Sequence, residues 1–246
     1  MSGYGEFALV YDLLTENVPY DEIAEYYHGL IQKHGAQGRY LLDMGCGTGN
    51  LTLRLADMGY DVIASDASTE MLTIASSKPN HGNVQFICQS MTETELYGAV
   101  DIAISTLDSI NHLDSFADIL LCFRKTAENM NSGGLFLFDV NTIYKHREIL
   151  ADNTFIYDVD GVYCAWSNTY DPADHSVTIE LDLFYENEDG SYDRGYESFC
   201  EIAPDRFMLT DFLELAGFEV VGMYEYLTHD KPTEDSEKLM FVARKK

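Results

Sequence analysis

The chain has 246 residues, 46% of them hydrophobic, enough to bury a large core in one enzyme-sized domain with an elaboration. Its 42 acidic residues against 15 basic ones give a formal net charge of −27, which argues against a nucleic-acid binder, whose affinity needs basic patches absent here. No apolar run nears the roughly 20 residues that cross a bilayer, and the N-terminus has no basic segment or apolar signal core, so a cytoplasmic protein without a membrane partner is expected.

In chain order, the first predicted element is an amphipathic helix with Ile23, Tyr26, Tyr27, Leu30 and Ile31 at helical spacing, Asp21 as its cap and an end near Gly35. A short apolar strand over residues 40–43 ends in Asp43. Directly behind it, Leu41-Leu-Asp-Met-Gly-Cys-Gly-Thr-Gly-Asn50 puts Gly45, Gly47 and Gly49 in a strand-to-helix turn, and Asn50 opens a helix through Leu51, Leu53 and Leu55. Glycine lets backbone N–H groups approach a ligand closely and takes dihedrals that a Cβ forbids, so this is a nucleotide-cofactor loop. A dinucleotide fingerprint has the form G-x-G-x-x-G; the Asp-x-Gly-x-Gly-x-Gly spacing here points away from NAD.

A strand over residues 62–66 closes on Asp66, and a helix over 69–77 follows, then strands over 84–88 and 101–105 and a long helix around 115–130. Gly134-Leu-Phe-Leu-Phe-Asp139 is continuously apolar, as a strand covered on both faces must be, and the alternation of strands and helices predicts a doubly wound α/β core. Between residues 141 and 203 the period changes to two, with Val177, Ile179, Leu181 and Leu183 alternating against Thr178, Glu180 and Asp182. Turns at Asp171-Pro-Ala-Asp174 and at 186–190 divide this stretch into strands over 163–170, 177–185 and 192–202, an antiparallel β-meander inserted after the fifth core strand and expected to roof the site as a lid. It is rich in tyrosine and carries the one tryptophan, Trp166, which suits an aromatic substrate lining, a plain structural appendage or a dimerisation sheet alike. A helix over 204–217 and strands over 219–226 and 238–244 complete the chain, so residues 1–140 plus 204–246 form the core and 141–203 the inserted subdomain.

Five scattered cysteines, Cys46, Cys88, Cys122, Cys164 and Cys200, contain no C-x-x-C pair, which predicts reduced thiols rather than disulfides or a zinc cluster. His28, His81 and His175 show no ligand spacing, and no metal site is expected.

On its glycine loop and the acidic end of the second strand, the chain resembles the class I S-adenosylmethionine (SAM)-dependent methyltransferases. The resemblance implies a Rossmann-like seven-stranded, mostly parallel sheet with an antiparallel last strand. It implies that Asp43, Gly45, Cys46 and Gly47 pack against the methionine part of SAM and that Asp66, followed by Ala67, holds the ribose hydroxyls. A carboxylate there can accept both hydrogen bonds of a cis-diol, although an Asp that only caps the next helix has the same sequence. Ser90 and Met91 fall beside the adenine, with Ser90 where relatives often carry Asp. Thr106-Leu-Asp-Ser-Ile-Asn-His112 falls beside the transferable methyl, bringing Leu107 to the cofactor and Asp108 and His112 to the reaction, and Asp139-Val-Asn141 falls at the border of the acceptor pocket. The segment Phe7-Ala-Leu-Val-Tyr-Asp-Leu-Leu14 with Pro19-Tyr20 is similar to a lead-in helix that folds over the cofactor in a subgroup of these enzymes. Tyr11 then covers the sulfonium by a cation–π contact, although Tyr4, Tyr11 and Tyr20 can equally be packing residues. With the late β insert included, the whole chain most resembles the YqeM-type bacterial methyltransferases.

Such chemistry needs little from the protein beyond alignment, because SAM carries an activated methyl and leaves as S-adenosylhomocysteine (SAH). His112 is the candidate base, since an unperturbed imidazole titrates near neutrality, and Asp108 the candidate partner for a cationic acceptor; a histidine that merely bonds its loop is the alternative. Lys145, Arg147 and Arg194 are the cations available to an anionic acceptor. The expected activity is methyl transfer to an N or O atom of a small molecule, in a monomer or homodimer. A SAM- or SAH-binding protein without turnover, a protein methyltransferase and an NAD-dependent oxidoreductase are the alternatives.

Overall fold

The computed structural model describes residues 7–79 and 83–246; Tyr4 and His81 lie outside them. The described residues begin with helix α1 (Phe7–Leu14), followed by α2 (Tyr20–Lys33). Pro19, not Asp21, stands at the N-cap of α2, and Asp21 instead pairs with Arg54 of the next helix. Proline's fixed φ suits a helix start, which leaves the acid free to turn sideways.

Strand β1 (Tyr40–Met44) leads through the glycine turn into α3 (Asn50–Asp57), β2 (Asp61–Asp66) into α4 (Thr69–Ser77), and then come β3 (Val84–Cys88) and β4 (Val100–Ser105). Helix α5 (Phe116–Glu128) returns the chain to β5 (Met130–Asn141). Ser68 caps α4 by accepting from the Met71 N–H at 3.1 Å, and Ser115 caps α5 by accepting from the Asp118 N–H at 3.2 Å. Helix α3 has no side-chain cap: it opens on Gly49 at the cofactor loop.

Past β5 a single π-type turn (Lys145–Leu150) leads to β6 (Thr154–Val159), β7 (Val162–Asp171), β8 (Ser176–Glu186) and β9 (Tyr192–Glu201), an antiparallel sheet in that order. The insert therefore has four strands where the periodicity predicts three. β6 is an edge strand whose residues alternate only between half-buried and exposed, so its pattern is weak in the sequence. Helix α6 (Arg206–Leu215), capped by Asp205, and strands β10 (Phe218–Glu225) and β11 (Lys238–Lys245) return to the main sheet.

That sheet has seven strands in the order β10-β11-β5-β4-β1-β2-β3, parallel except at β11, which runs antiparallel to both neighbours. Period-two alternation splits the strands between two layers. Phe136, Phe138 and Phe241 join Ile119 and Phe123 of α5 and Leu209 and Leu213 of α6. Leu135, Leu137 and Met240 face the other way, onto Tyr27 and Leu30 of α2 and Leu55 of α3. A third core lies under the insert, where Val177, Ile179, Leu181 and Leu183 of β8 cover Phe7, Ala8 and Val10 of α1. The amphipathic β8 thus packs on the first helix of the chain. Among the described residues no helix is long and apolar enough to cross a membrane.

Candidate active site

The carboxyl ends of β1, β2, β3 and β4 open onto a cavity of about 920 Å³ that α1, β6, β7 and β9 also line. This is where an open α/β sheet binds its ligands. Gly45, Cys46, Gly47, Asp66 and Ala67 line it, as do Ser90, Met91, Leu107, Asp108 and His112, and Tyr11 lines it from α1. Of the residues that the resemblance assigns to the cofactor and the reaction, only Asp43 stands behind the wall, 1% exposed.

Gly45, Gly47 and Gly49 all take positive φ, of 72°, 54° and 76°. The turn is anchored by Gly45 and Cys46 N–H groups, which donate to the Ser65 carbonyl at 2.8 and 3.0 Å. A Cβ on Gly45 would meet Ser109 Oγ at 2.8 Å, whereas one on Gly47 meets nothing within 4 Å and would stand in the cavity itself. Asp66 accepts from the Gly47 N–H and the Ser68 N–H, each at 2.8 Å, one on each carboxylate oxygen. Each oxygen keeps a further lone pair. Burial raises the Asp66 carboxyl, against those backbone hydrogen bonds. Behind the turn, Asp43 Oδ2 accepts from Thr52 at 2.6 Å while its Oδ1 is buried without a hydrogen-bond partner among the described residues. Burial pushes the Asp43 carboxyl up to about 7, the Thr52 hydrogen bond offsetting only part.

Leu107 and Asp108 both adopt left-handed backbone, with φ of 52° and 57°. Such strain in two consecutive non-glycine residues needs a clamp. Asp139 at the end of β5 provides it, accepting from the Leu107 N–H at 2.9 Å and the Asp108 N–H at 2.8 Å. Tyr27 donates to the same carboxylate at 2.8 Å, and Lys238 lies 3.1 Å away. Asp139 is fully buried and does not line the cavity: it holds the turn from behind rather than bordering the acceptor space. Burial pushes the Asp108 carboxyl up, but Lys238, Lys145, His112 and a hydrogen bond from Asn141 outweigh it and bring it down to about 2. Those same carboxylates hold Lys238 charged, above its ordinary value despite burial.

Sequence reasoning missed Glu201. It ends β9, only 4% exposed, and its carboxylate stands 3.7 Å from His112 Nε2 and 3.4 Å from His146 Nε2. Asn141 Nδ2 donates to it at 3.0 Å. Burial acts to raise the Glu201 carboxyl, yet the facing His146 and His112 win and leave it below the usual carboxylate range. Asn111 fixes this junction: its side chain donates to the carbonyls of Asn141 and Ile202 at 3.1 and 2.9 Å, tying the end of β5 to the chain's exit from the insert.

The insert contributes Tyr157, Trp166 and Phe199 to the cavity wall. Trp166 is held by donating from Nε1 to Asn168 Oδ1 at 2.5 Å. Helix α1 crosses between roof and floor: the Phe7 N–H donates to Glu197 of β9 at 2.8 Å, and Asp12 accepts from Thr48 and Asn50 of the cofactor turn and pairs with Lys78 at 2.6 Å. Tyr11 lies edge-on to Phe7 with ring centroids 5.4 Å apart. The three cations considered for an anionic acceptor are placed elsewhere. Arg147 pairs with Glu148, Arg194 with Asp182, and Lys145 donates to Asn141 Oδ1 at 2.9 Å; none lines the cavity.

Known proteins agree with this geometry. A methyltransferase domain family matches residues 41–134. A protein of Geobacillus sp. (strain WCH70) bearing a methyltransferase name is 34% identical over 98% of this chain and 99% of its own, and YqeM of Bacillus subtilis (strain 168) is 30% identical over 98% and 97%. The crystal structure of a SAM-dependent methyltransferase from Clostridium acetobutylicum ATCC 824 superposes with a TM-score of 0.87 at 26% identity, covering 99% of both chains. From sheet order to glycine turn to full-length relatives, the chain belongs to the class I SAM-dependent methyltransferases.

Proposed function

We propose that this methyltransferase acts on an N or O atom of a small molecule bound between the cofactor turn and the residues 141–203 insert, which serves as a lid on the core formed by 1–140 and 204–246. The observation that carries this is the single cavity of about 920 Å³ shared by the glycine turn, His112 and the lid aromatics. A roofed pocket of that size suits a cofactor and a small acceptor side by side.

The residues present fit SAM. Gly47 leaves open the space that a Cβ would fill, and Asp43 holds an unsatisfied buried oxygen behind the same turn. Asp66 would take the ribose hydroxyls on its remaining lone pairs, Ala67, Ser90 and Met91 would flank the adenine, and Gly45, Cys46 and Leu107 would hold the methionine portion with Tyr11 over it. Bound SAM supplies the activated methyl. His112 would accept the acceptor's proton, positioned by Glu201, while Asp108 stays ionised beside it.

One electrostatic prediction follows from Asp43. SAM brings a net positive charge to a carboxyl raised to about 7, and a nearby cation favours the ionised form. Binding at pH 7 should therefore release a fraction of a proton, read as a dependence of the calorimetric enthalpy on buffer ionisation enthalpy. The dependence should vanish in Asp43→Asn. Equal enthalpies in phosphate and Tris for the unaltered protein would refute the linkage.

The functional test begins with titration of ligand-free protein by SAM, SAH and NADH, with micromolar binding expected for the first two and none for NADH. Incubation with methyl-labelled SAM and a metabolite extract should then place the label in a compound that passes an ultrafilter. Label retained on protein would favour protein methylation, and tight binding without transfer would favour a cofactor-binding protein.

A further inference from the structure

We infer that the acceptor is a small amine that arrives as a cation, drawn to the Glu201 and Asp108 carboxylates in a cavity that Tyr157, Trp166 and Phe199 also line. The inference rests on the methyltransferase reading and narrows its acceptor.

The wall of the cavity has one sign of charge. Asp66, Asp108, Asp114, Asp118 and Glu201 line it, and among the described residues that line it there is no Lys or Arg. Asp66 is engaged by the glycine turn, Asp118 accepts from the Ser115 hydroxyl that caps α5, and Asp114 is solvent-exposed. Glu201 and Asp108 remain, on either side of Asn141, whose Nδ2 donates to both. His112 shares their end of the cavity.

The neighbouring cations do not reverse this sign. Lys238 Nζ lies 3.1 Å from Asp139 and 3.6 Å from Asp108, so its single charge is divided between two carboxylates. Lys145 points at Asn141 Oδ1, and neither lysine reaches the wall. The titratable groups facing Glu201 are His112 and His146, the Asp108 carboxylate and, farther off, Lys238. An anionic acceptor would enter against this field with no cation to receive it, whereas an ammonium group meets carboxylates at one end and a wall that carries the aromatic side chains of Tyr157, Trp166 and Phe199. The net charge of −27 acts in the same direction at long range, raising the local concentration of cations.

The reaction balances for an amine. The substituted ammonium gives one proton to His112, freeing the nitrogen lone pair. That pair forms the N–CH3 bond as the methyl C–S bond breaks, with the C–S electrons passing to sulfur. The sulfonium becomes the neutral thioether of SAH, the methylated amine keeps its positive charge, and His112 returns its proton to water.

The test uses probes of matched shape on the intact protein saturated with SAH: phenethylamine, phenethyl alcohol and phenylacetate, titrated calorimetrically. Phenethylamine should bind at least tenfold tighter than phenylacetate, with the alcohol between them. Glu201→Gln, which keeps the acceptor for Asn141, should weaken phenethylamine by about tenfold with SAH affinity kept within threefold as the check on folding. Asp108→Asn should weaken it in the same direction, independently of Glu201. Phenylacetate binding as tightly as the amine, no amine binding at millimolar concentration, or amine affinity untouched in both variants overturns the inference while the methyltransferase reading stands. Failure of SAH to bind the unaltered protein would overturn both.

Discussion

Asp139→Ala should lower the melting temperature by about 10 °C, measured by scanning calorimetry, the largest loss expected of any single change near the site. The carboxylate is 0% exposed and accepts from two backbone N–H groups and the Tyr27 hydroxyl, with the Lys238 ammonium 3.1 Å away. Its removal takes from the Lys238 ammonium the nearer of its two carboxylates and from the Tyr27 hydroxyl its shorter hydrogen bond, and breaking a buried pair from one side costs about 3–5 kcal/mol. For a chain of this size each kcal/mol is worth roughly 2–4 °C. The loss extends to the site, because the N–H groups of Leu107 and Asp108, both at positive φ, lose the carboxylate that accepts from them. Asp139→Asn should fall between, since one amide oxygen remains but the NH2 group faces donors. A drop below about 3 °C for alanine would mean that the turn is held by something other than Asp139.

The second large effect is on binding rather than stability. Asp66→Ala should weaken SAM and SAH by more than tenfold, since at least one charge-assisted hydrogen bond of about 1.5–3 kcal/mol is lost. The structure gives a second reason for the effect. The same side chain accepts from the Gly47 N–H at 2.8 Å, so alanine also frees the cofactor turn. Asp66→Asn separates the two contributions, keeping one acceptor oxygen while replacing the other with a donor. Unaltered SAH affinity in the alanine variant would remove Asp66 from the site.

Features encoded locally were legible from the residues. The three glycines announce a turn at positive φ because no other residue takes it cheaply, and Val177 to Leu183 announce a half-buried strand by their period of two. The seven-stranded sheet with its antiparallel last strand came with the family resemblance, and the observed strand order agrees. What the sequence hid depends on contacts made across long stretches of chain. Glu201 is one acid among 42 acidic residues, and nothing in its neighbours marks it until β9 delivers it to His112 and His146. Asp139 was noticed, but its position at a strand end suggested the pocket rim, whereas the depth of β5 between two helical layers puts it behind the wall. Lys145, Arg147 and Arg194 misled for the converse reason: composition shows a cation, but only the fold shows which carboxylate or amide already occupies it. β6 escaped because an edge strand with one partner needs no strong pattern.

Trp166, the one tryptophan in 246 residues, stands in the cavity wall with its indole N–H fixed on Asn168. Ultraviolet emission of the whole protein at long excitation wavelength therefore has a single source, and that source sits in the wall of the cavity proposed to take the acceptor. Quenching or a spectral shift on adding a compound reports an event inside the chamber rather than on the outer surface. The protein thus carries a built-in optical probe with which an unlabelled metabolite collection can be searched for its acceptor.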